Sequence, residues 1–306
     1  RVQAAIELLD QIIEGAKTKG APADRLIAAY FKARRYAGSK DRRAVRELVY
    51  RAVRHCGPVP VSGRAAMLAL ADADESLVGL FDGSTHGPAA IIEGEPQAQA
   101  GLAPDRLVDA LEAKAGDTII DLCAGAGGKT LALAGRFGNA VSLVAADTDK
   151  RRLGNLAPRA AKAGAQIDHT ILLDPKREME ALEAFAGRAD HVLVDAPCSG
   201  TGTWRRNPES RWRLDRKELA RLNALQDHVL DLAAQVVRPG GAITFVTCSV
   251  LDAEGPERIE AFLARHPDFT AQTPELGVGA PRGTGWRLDP FHHSTDGVFV
   301  AIARRA

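Results

Sequence analysis

The residues best placed to do chemistry are two cysteines that follow neighbouring apolar runs. Cys198 comes after the run His191–Asp195, and Cys248 comes after the run Ala242–Thr247. Such runs are typical of buried parallel strands, and open α/β sheets bind their ligands at the carboxyl ends of their strands. A single cytosolic cysteine is usually a packing residue. Two cysteines at successive strand ends indicate chemistry instead.

Two thiols suit methyl transfer to carbon 5 of a cytosine. That carbon is too poor a nucleophile to accept a methyl group, but a thiolate added at carbon 6 creates a carbanion or enamine that can accept one. A base must then remove the carbon-5 proton so that the thiol can leave by elimination. One cysteine as the nucleophile and a second that assists release would satisfy both steps.

A glycine-rich turn precedes both cysteines and predicts a nucleotide-like ligand. Residues 121–130, DLCAGAGGKT, end the apolar run Thr118–Cys123 and open a helix. The glycines let the backbone approach a ligand closely at the end of a strand. A phosphate loop of the type GxxxxGK[ST] would need a glycine where Cys123 stands. The pattern therefore disfavours a nucleotide triphosphatase.

Three carboxylates end successive apolar runs. They are Asp121, Asp147 and Asp174, and Asp147 lies 26 residues after Asp121, where a carboxylate reaches ribose hydroxyls in dinucleotide folds. Both NAD and S-adenosylmethionine carry a ribose with this pair of hydroxyl groups. Each carboxylate alone could instead cap the following helix, but the three together favour an adenosine ligand.

Apolar runs alternate with helical patterns through the C-terminal two thirds of the chain. Val141–Ala146 and Thr170–Leu173 are further strand-like runs, and Asp149–Ala163 and Asp215–Val237 have the length and spacing of helices. This alternation is typical of an α/β fold. We therefore expect a doubly wound sheet in one domain of residues 105–306.

The N-terminal part has an all-α pattern and a basic charge. Residues 2–14 repeat apolar side chains at helical spacing, and two more helices are expected from Ala23 and from about Asp41. Between Arg1 and Pro60 there are 13 Lys or Arg against 6 Asp or Glu, whereas the remainder has 27 against 33. This part is therefore the expected polyanion-facing surface, although a basic run is ordinarily a solvated helix face.

The remaining features bound the class of protein. We expect residues 1–80 to form the helical domain and residues 81–104, rich in Gly, Pro and Ala, to form a linker or short subdomain.

No membrane span or secretory segment is evident, so we expect a cytoplasmic protein, and a monomer. The four cysteines lack zinc-site spacing and are too few for a disulfide framework, so no metal is expected. Because the sequence opens at Arg1 rather than methionine, we expect it to be a trimmed sequence or a fragment.

The motifs resemble one enzyme family. Residues 195–202, DAPCSGTG, and residues 247–249, TCS, together with DLCAGAGGKT, resemble the RNA cytosine-5 methyltransferases, the group of the bacterial small-subunit ribosomal RNA methyltransferase B type and its eukaryotic nucleolar relatives. The resemblance covers about Thr118–Val250 and extends more weakly to a closing hairpin in residues 289–305. It implies a Rossmann-like class I methyltransferase fold and S-adenosylmethionine as the cofactor.

The resemblance also implies roles for individual residues. Cys248, in the Thr-Cys motif, would be the nucleophile, and Cys198, in the Pro-Cys motif, would aid release of the product. DNA cytosine methyltransferases attack with the Pro-Cys thiol instead. Asp195 would bind the cytosine edge together with Lys129. The implied cofactor-binding residues are Cys123, Ala124, Gly125, Ala126, Gly127, Gly128, Lys129, Asp147, Arg152, Asp174 and Asp195. Family members usually carry Ala-Pro in place of Gly125-Ala126, a difference that should preserve the turn.

Two basic stretches are the predicted RNA contacts. Residues 31–55 resemble the RNA-binding helical domain of the NusB-like antiterminator type found in the bacterial enzymes. Residues 204–213 interleave tryptophan with arginine, which suits splayed bases and phosphates, although Trp212 could equally be a core residue. The predicted RNA-binding residues are Arg34, Arg35, Lys40, Arg42, Arg43, Arg205 and Arg206.

We therefore expect S-adenosylmethionine-dependent methylation of carbon 5 of a cytosine in RNA, through a covalent adduct between cysteine and carbon 6. The favoured substrate is 16S ribosomal RNA. A transfer RNA methyltransferase is an alternative, because surface shape rather than the chemical motifs selects the RNA. A non-enzymatic ribosome assembly factor with this fold is a second alternative, and the two intact cysteines argue against it. A dehydrogenase is disfavoured because no nicotinamide-binding residues are evident.

Overall fold

The structure is a computed structural model, and it describes residues 1–35, 37–78, 107–108, 110–274 and 276–306. The chain divides into two compact units. The first unit contains the N-terminal helices together with Thr203–Glu218, and the second contains the other described residues from Leu107 onwards. The predicted linker of residues 81–104 lies outside the described residues.

The first unit is helical. Its helices are α1 (Val2–Lys17), α2 (Ala23–Ala33), α3 (Ser39–His55), α4 (Gly63–Ala73) and α5 (Glu75–Val78). The apolar faces of these helices pack into a single core, in which Leu9, Ile12, Val49 and Met67 are fully buried. The three helices expected from the apolar spacing are therefore present.

Thr203–Glu218 packs with these helices, so the predicted domain of residues 105–306 is interrupted at this segment. The Trp212 side chain is half-buried against the helical core, and its indole nitrogen donates to the Gly57 carbonyl at 3.3 Å. The Arg211 guanidinium donates to carbonyl groups at the end of α3, among them that of Val53. Carbonyls at a helix end have no partner within the helix, so Arg211 acts as a cap for α3.

The second unit is built on one sheet, which has nine strands among the described residues. They are β1 (Thr118–Asp121), β2 (Ser142–Asp147), β3 (His169–Leu172), β4 (Ala189–Asp195), β5 (Val237–Thr247), β6 (Phe269–Gln272), β7 (Ala280–Arg282), β8 (Gly285–Leu288) and β9 (Val298–Arg305). The strand order is β3-β2-β1-β4-β5-β9-β8-β7, and β6 also pairs with β9.

The first five strands pair in parallel, and the last four pair antiparallel. This arrangement confirms the predicted α/β fold. Of the closing hairpin predicted in residues 289–305, only β9 lies in that range, and its antiparallel partner β8 precedes it. β3 differs from expectation, because its side chains are mostly exposed. It is the edge strand of the sheet, so it has a neighbouring strand on one side only.

Helices cover both faces of the sheet. They are α6 (Gly128–Arg136), α7 (Lys150–Leu153), α8 (Leu156–Ala163), α9 (Glu178–Leu182), α10 (Arg216–Val236), α11 (Pro256–Arg265) and α12 (Pro290–His293). Successive strand residues alternate between two cores, as Ile119 and Ile120 do, which is the pattern of a doubly wound sheet. None of the helices in the described part of the chain is long and apolar enough to cross a membrane.

The helix expected over Asp149–Ala163 is interrupted and forms α7 and α8. Pro158 lies in the first turn of α8 and has no N–H to donate to the carbonyl of Gly154, four residues earlier. The hydrogen-bond ladder of a continuous helix would therefore be broken at Gly154. The break leaves α7 directly after the end of β2, where its residues can face a ligand.

Candidate active site

Cys198 and Cys248 lie side by side where β4 and β5 end. The two strands are parallel neighbours, with Asp195 paired to Val246, so the segments that follow them leave the same edge of the sheet. The two sulfur atoms are 3.2 Å apart, which is hydrogen-bonding distance, and both cysteines are free of disulfides. The structure thus brings together the two thiols that the sequence singled out.

The two thiols stand in different electrostatic surroundings. By geometry either sulfur could donate the hydrogen bond. A bond donated by Cys198 lowers the pKa of Cys248; burial and Asp195 oppose this shift, and the Lys129 ammonium adds to it. The same bond raises the pKa of Cys198 well above its usual range, and burial and the Glu254 carboxylate act in the same direction. The pair is therefore polarised towards a thiolate at Cys248 and a thiol at Cys198.

An ion pair lies next to the thiols. Lys129, in the first turn of α6, places its Nζ atom 2.6 Å from Oδ2 of Asp195 at the end of β4. The Asp195 side chain is 35% exposed, so one of its oxygens can still accept from a ligand. The pair therefore offers a hydrogen-bond acceptor and a donor at the position predicted for the cytosine edge.

The glycine-rich turn between β1 and α6 depends on its glycines. Gly125 and Gly127 adopt the left-handed conformation, with φ of +54° and +85°, which other residues rarely adopt. A Cβ atom at position 125 would collide with the Arg152 guanidinium, and one at position 127 would collide with Leu156. The Gly125 amide donates to Oδ2 of Asp147 at 2.7 Å. This bond fastens the turn to the end of β2.

A cavity of about 340 Å³ opens beside the turn and the thiols. The predicted site residues that line it are Cys123, Asp147, Arg152, Asp195, Cys198 and Cys248. Gly125 and Lys129 do not line it but bond to residues that do. Asp174 is not part of the lining: its side chain is 71% exposed, and its Oδ2 lies 3.9 Å from Nη1 of Arg177. Ala124, Ala126, Gly127 and Gly128 are likewise absent from the lining.

One wall of the cavity comes from α10 and was not predicted. Leu225, His228, Val229 and Leu232 line it, at the spacing of one helix face, which was a readable signal in the sequence. Nε2 of His228 lies 3.0 Å from Oε1 of Glu178, which also lines the cavity. Burial would raise the pKa of Glu178, but this hydrogen bond and backbone amides lower it below its usual value.

The cavity has a hydrogen-bond acceptor and apolar walls that suit an adenosine-type cofactor. Asp147 accepts from the amides of Gly125 and Asp149, each at 2.7 Å, and a carboxylate has lone pairs left for a ribose diol. The apolar residues of α10 can pack against a base. Asp121 is different from Asp147: it is 1% exposed, accepts from Oγ1 of Thr130 at 2.7 Å, and does not line the cavity.

In the helical unit, a second cavity of about 640 Å³ is lined by residues of α2 and α3. These residues are Asp24, Ile27, Ala28, Phe31, Lys32, Arg42, Arg43 and Arg46, and we call this site the basic groove. Arg42 and Arg43 are thus the predicted RNA-binding residues that line it, and Arg34, Arg35 and Lys40 do not. Arg34 instead stacks 3.7 Å over the ring of Tyr30 and lies 3.3 Å from Glu7.

Arg205 and Arg206, the other two predicted RNA-binding residues, follow Thr203 in the segment that packs with the helical unit. The backbone carbonyl of Arg205 accepts from Nη2 of Arg54 at 3.0 Å. The Arg206 amide donates to the Thr203 carbonyl at 2.9 Å. These bonds fix the backbone of the segment within that unit.

Comparison with known proteins identifies close relatives. The sequence profile described as "16S rRNA methyltransferase RsmB/F" matches residues 108–304. The ribosomal RNA small subunit methyltransferase B of Thermus thermophilus is 38% identical over 213 residues, which cover 69% of this chain and 50% of that protein. The chain spans about half the length of the curated relatives it matches.

Solved structures share the fold. The structure described as "Crystal Structure of PH0851" matches with a TM-score of 0.74 and 20% identity, over 100% of this chain and 99% of that one. A methyltransferase homologue from Pyrococcus horikoshii matches with a TM-score of 0.55 and 26% identity, over 67% and 66% of the two chains. Both similarities agree with the Rossmann-like sheet described above.

Proposed function

Because the chain belongs to the 16S rRNA methyltransferase RsmB/F family, we propose that it transfers a methyl group from S-adenosylmethionine to carbon 5 of a cytosine in ribosomal RNA. The observation that carries this proposal is the pair of thiols 3.2 Å apart at the edge of the cavity. A protein that only binds RNA needs neither thiol. Methyl transfer to a nitrogen or oxygen atom needs no thiol nucleophile.

Cys248 is the proposed nucleophile. Its sulfur adds to carbon 6 of the cytosine, and the electron pair of the carbon 5–carbon 6 double bond makes carbon 5 nucleophilic. A thiolate is the form that attacks, and the hydrogen bond with Cys198 and the Lys129 ammonium both lower the pKa of Cys248. These two contacts favour the reactive form of this cysteine over that of Cys198.

Asp195 and Lys129 are proposed to orient the base. The exocyclic amino group of cytosine is a donor, and a carboxylate is its natural acceptor. The Lys129 ammonium, 2.6 Å from the Asp195 carboxylate, holds that carboxylate in place and can donate to a ring acceptor of the base. Removing either partner should therefore weaken placement of the cytosine over Cys248.

Cys198 is proposed to complete the reaction as the base. After losing its own proton to solvent water, its sulfur takes the proton from carbon 5. The electron pair of that carbon–hydrogen bond restores the double bond, and the bond between carbon 6 and the Cys248 sulfur breaks, with its electron pair returning to sulfur. The raised pKa of Cys198 makes its thiolate a stronger proton acceptor than an ordinary cysteine thiolate.

The cofactor is proposed to lie in the cavity next to the thiols. When bound there, S-adenosylmethionine supplies an electrophilic methyl group. Asp147 would accept hydrogen bonds from the ribose hydroxyls, and Arg152 and Cys123, which line the same cavity, would contact the cofactor near the glycine-rich turn. Val229 and Leu232 of α10 would pack against the base and exclude water from it.

The basic groove is the proposed RNA contact of the helical unit. Its floor includes Ile27 and Phe31, and its cationic residues include Arg42 and Arg43. Guanidinium groups bind phosphates, while an apolar floor with an aromatic ring can receive an unstacked base. This combination suits single-stranded or looped RNA more than a regular duplex.

Bisulfite mapping of RNA from cells with and without the gene tests the proposed product. We expect one or more cytosines of 16S ribosomal RNA to lose their methyl mark when the gene is absent. A mark lost from transfer RNA would change the substrate but keep the chemistry. Unchanged cytosine methylation in both RNA classes would contradict the proposal.

Alanine variants of the two cysteines test the proposed roles. Cys248→Ala should abolish methylation and leave cofactor binding intact, because the thiol forms the covalent bond with the base. Cys198→Ala should instead accumulate an RNA adduct that survives denaturing electrophoresis, because elimination is blocked. Cys56→Ala is the matched control, since Cys56 is buried in the core of the helical unit. An adduct in Cys248→Ala but none in Cys198→Ala would reverse the roles.

A further inference from the structure

The loop that carries Cys198 is held on both sides of the cysteine by two buried side chains. Nε2 of Gln226 donates to the Pro197 carbonyl at 2.9 Å. The Ser199 amide donates to Oε1 of Glu254 at 2.8 Å, and the Ser199 hydroxyl donates to Oε2 of the same carboxylate. Both residues that flank Cys198 are therefore fixed through side chains of other elements.

The two holding side chains are joined to each other. Nε2 of Gln226 also donates to Oε1 of Glu254 at 3.1 Å. Gln226 lies on α10, and Glu254 lies two residues before α11. We call this pair the Gln226–Glu254 clamp. It gives Cys198 a fixed position relative to two helices that pack in the same core.

Burial of the Glu254 carboxylate in the clamp is energetically unfavourable unless hydrogen bonds compensate for it. Both side chains are 0% exposed, and a buried carboxylate is unfavourable unless hydrogen bonds satisfy it. Among the described residues, no lysine, arginine or histidine forms an ion pair with Glu254. Its charge is held by the Ser199 amide and hydroxyl, by Gln226, and by its place just ahead of the N-terminus of α11, which favours an anion.

The rest of the loop does not need the clamp. The Thr201 hydroxyl bonds to that of Ser249 at 2.9 Å, and the Gly202 amide donates to the Cys248 carbonyl at 3.1 Å. These bonds tie the far end of the loop directly to the end of β5. Loss of the clamp should therefore displace Cys198 while Cys248 keeps its place.

We propose that Glu254, through its bonds to Ser199 and Gln226, is a positioning residue for Cys198 and controls release of the methylated base rather than attack on it. This inference rests on the proposed function. Glu254 acts in two ways. Its hydrogen bonds aim the Cys198 sulfur at the carbon-5 proton, and its negative charge stabilises Cys198 in the form that has accepted that proton.

The attack step depends on the clamp only through the hydrogen bond between the two sulfur atoms. Cys248 follows Thr247, the last residue of β5, and the cation that acts on its thiol is Lys129. A change at Glu254 should therefore separate two quantities that a general loss of structure would lower together. These are the rate of the first methyl transfer and the rate of multiple turnover.

The test compares Glu254→Gln and Ser199→Ala with the wild type, with Cys198→Ala as the reference for a blocked release. Glu254→Gln removes the charge at nearly constant shape, and Ser199→Ala removes one hydrogen bond and keeps the charge. Glu257→Gln is the matched control, because Glu257 is an exposed glutamate three residues away. The substrate is unmodified 16S RNA transcript with S-adenosylmethionine.

In Glu254→Gln we expect multiple turnover to fall roughly ten- to hundred-fold, the effect of losing hydrogen bonds to a charged group. The fraction of protein trapped as an RNA adduct should rise towards that of Cys198→Ala. The first methyl transfer should fall far less than multiple turnover, because it loses only the hydrogen bond between the two sulfur atoms, and cofactor affinity should stay unchanged. Ser199→Ala should show the same pattern more weakly. Glu257→Gln should match the wild type.

The inference is wrong if Glu254→Gln turns over like the wild type, or if it loses the first methyl transfer as fully as multiple turnover without trapping RNA. If Glu254→Gln does not fold, Ser199→Ala decides alone, and the absence of any trapped adduct in it would also overturn the inference. Absence of an adduct in Cys198→Ala itself would overturn the proposed function, and this inference with it.

Discussion

Replacement of Asp147 tests whether the cavity beside the thiols holds the cofactor. Asp147 ends β2, lines the cavity, and uses its two oxygens to accept from the amides of Gly125 and Asp149. The side chain therefore holds the glycine-rich turn in place, and we propose that it also accepts hydrogen bonds from the ribose hydroxyls. Asp147→Ala removes both, whereas Asp147→Asn keeps one oxygen as an acceptor.

The size of the effect follows from these contacts. A hydrogen bond to a charged group contributes about 1.5–3 kcal/mol, which is roughly ten- to hundred-fold in a dissociation constant. Asp149 lines the cavity, so water can replace the missing carboxylate at its amide, whereas the Gly125 amide is buried and would lose its acceptor at a cost of about 1–3 kcal/mol. We therefore expect the dissociation constant of S-adenosylmethionine to rise about tenfold in Asp147→Asn and about a hundredfold in Asp147→Ala.

Isothermal titration calorimetry with S-adenosylmethionine measures this change. The matched control is Asp168→Asn, because Asp168 also accepts from a backbone amide of β2, that of Leu143 at 3.0 Å, but at the opposite end of the strand. The control should keep the affinity of the wild type. An unchanged affinity in Asp147→Ala, or an equal loss in the Asp168 control, would refute the assignment of the ribose to Asp147.

Two further predictions concern charge. Burial raises the pKa of Asp121 to about 7, above its value in the unfolded chain, so its contribution to stability is full at low pH and is lost as pH rises towards 7. The wild type should therefore lose roughly 3 kcal/mol of unfolding free energy relative to Asp121→Asn between pH 5 and pH 8, and parallel pH profiles in urea titrations would contradict this. In the basic groove, replacing Arg42 and Arg43 by alanine should lower the log–log salt dependence of RNA binding by roughly 0.7–0.9 for each phosphate that the variant no longer neutralises. Cofactor affinity should stay the same. An unaltered salt dependence of RNA binding would show that Arg42 and Arg43 belong only to a solvated helix face.

The sheet could be predicted because its signals are local. Each buried strand is a short apolar run, and the chain places Asp147, Asp195 and Cys248 directly at or after the ends of such runs. Parallel strands bring those ends to one edge, so their convergence follows from the fold class alone. The position of a strand at the edge of a sheet cannot be recognised from its own local sequence. This is why β3 was expected to be buried, although it is largely exposed.

Contacts between distant segments left no comparable signal. Arg211 and Trp212 belong to the stretch predicted to face RNA, with a core position as the alternative for Trp212, and they contact backbone carbonyls and the apolar core of the helical unit. An arginine that caps a helix and one that binds phosphate look the same in sequence, since both functions use the same donors. The sequence carries no signal for the roles of Gln226 and Glu254 for the same reason. Buried polar side chains become recognisable only when their partners are known.

The proposed division of labour between the thiols rests on charge rather than on motif order. The Pro-Cys and Thr-Cys cysteines are equivalent in geometry, since each sulfur is a possible donor to the other. The difference comes first from the hydrogen bond between the two sulfur atoms, which lowers the pKa of Cys248 and raises that of Cys198. Among the charged neighbours, Lys129 lowers the pKa of Cys248 against the opposing effect of Asp195, and Glu254 raises the pKa of Cys198. A cation stabilises a thiolate and an anion stabilises a thiol. These surroundings support the proposal that the Thr-Cys sulfur of this chain attacks the base and that the Pro-Cys sulfur accepts the carbon-5 proton.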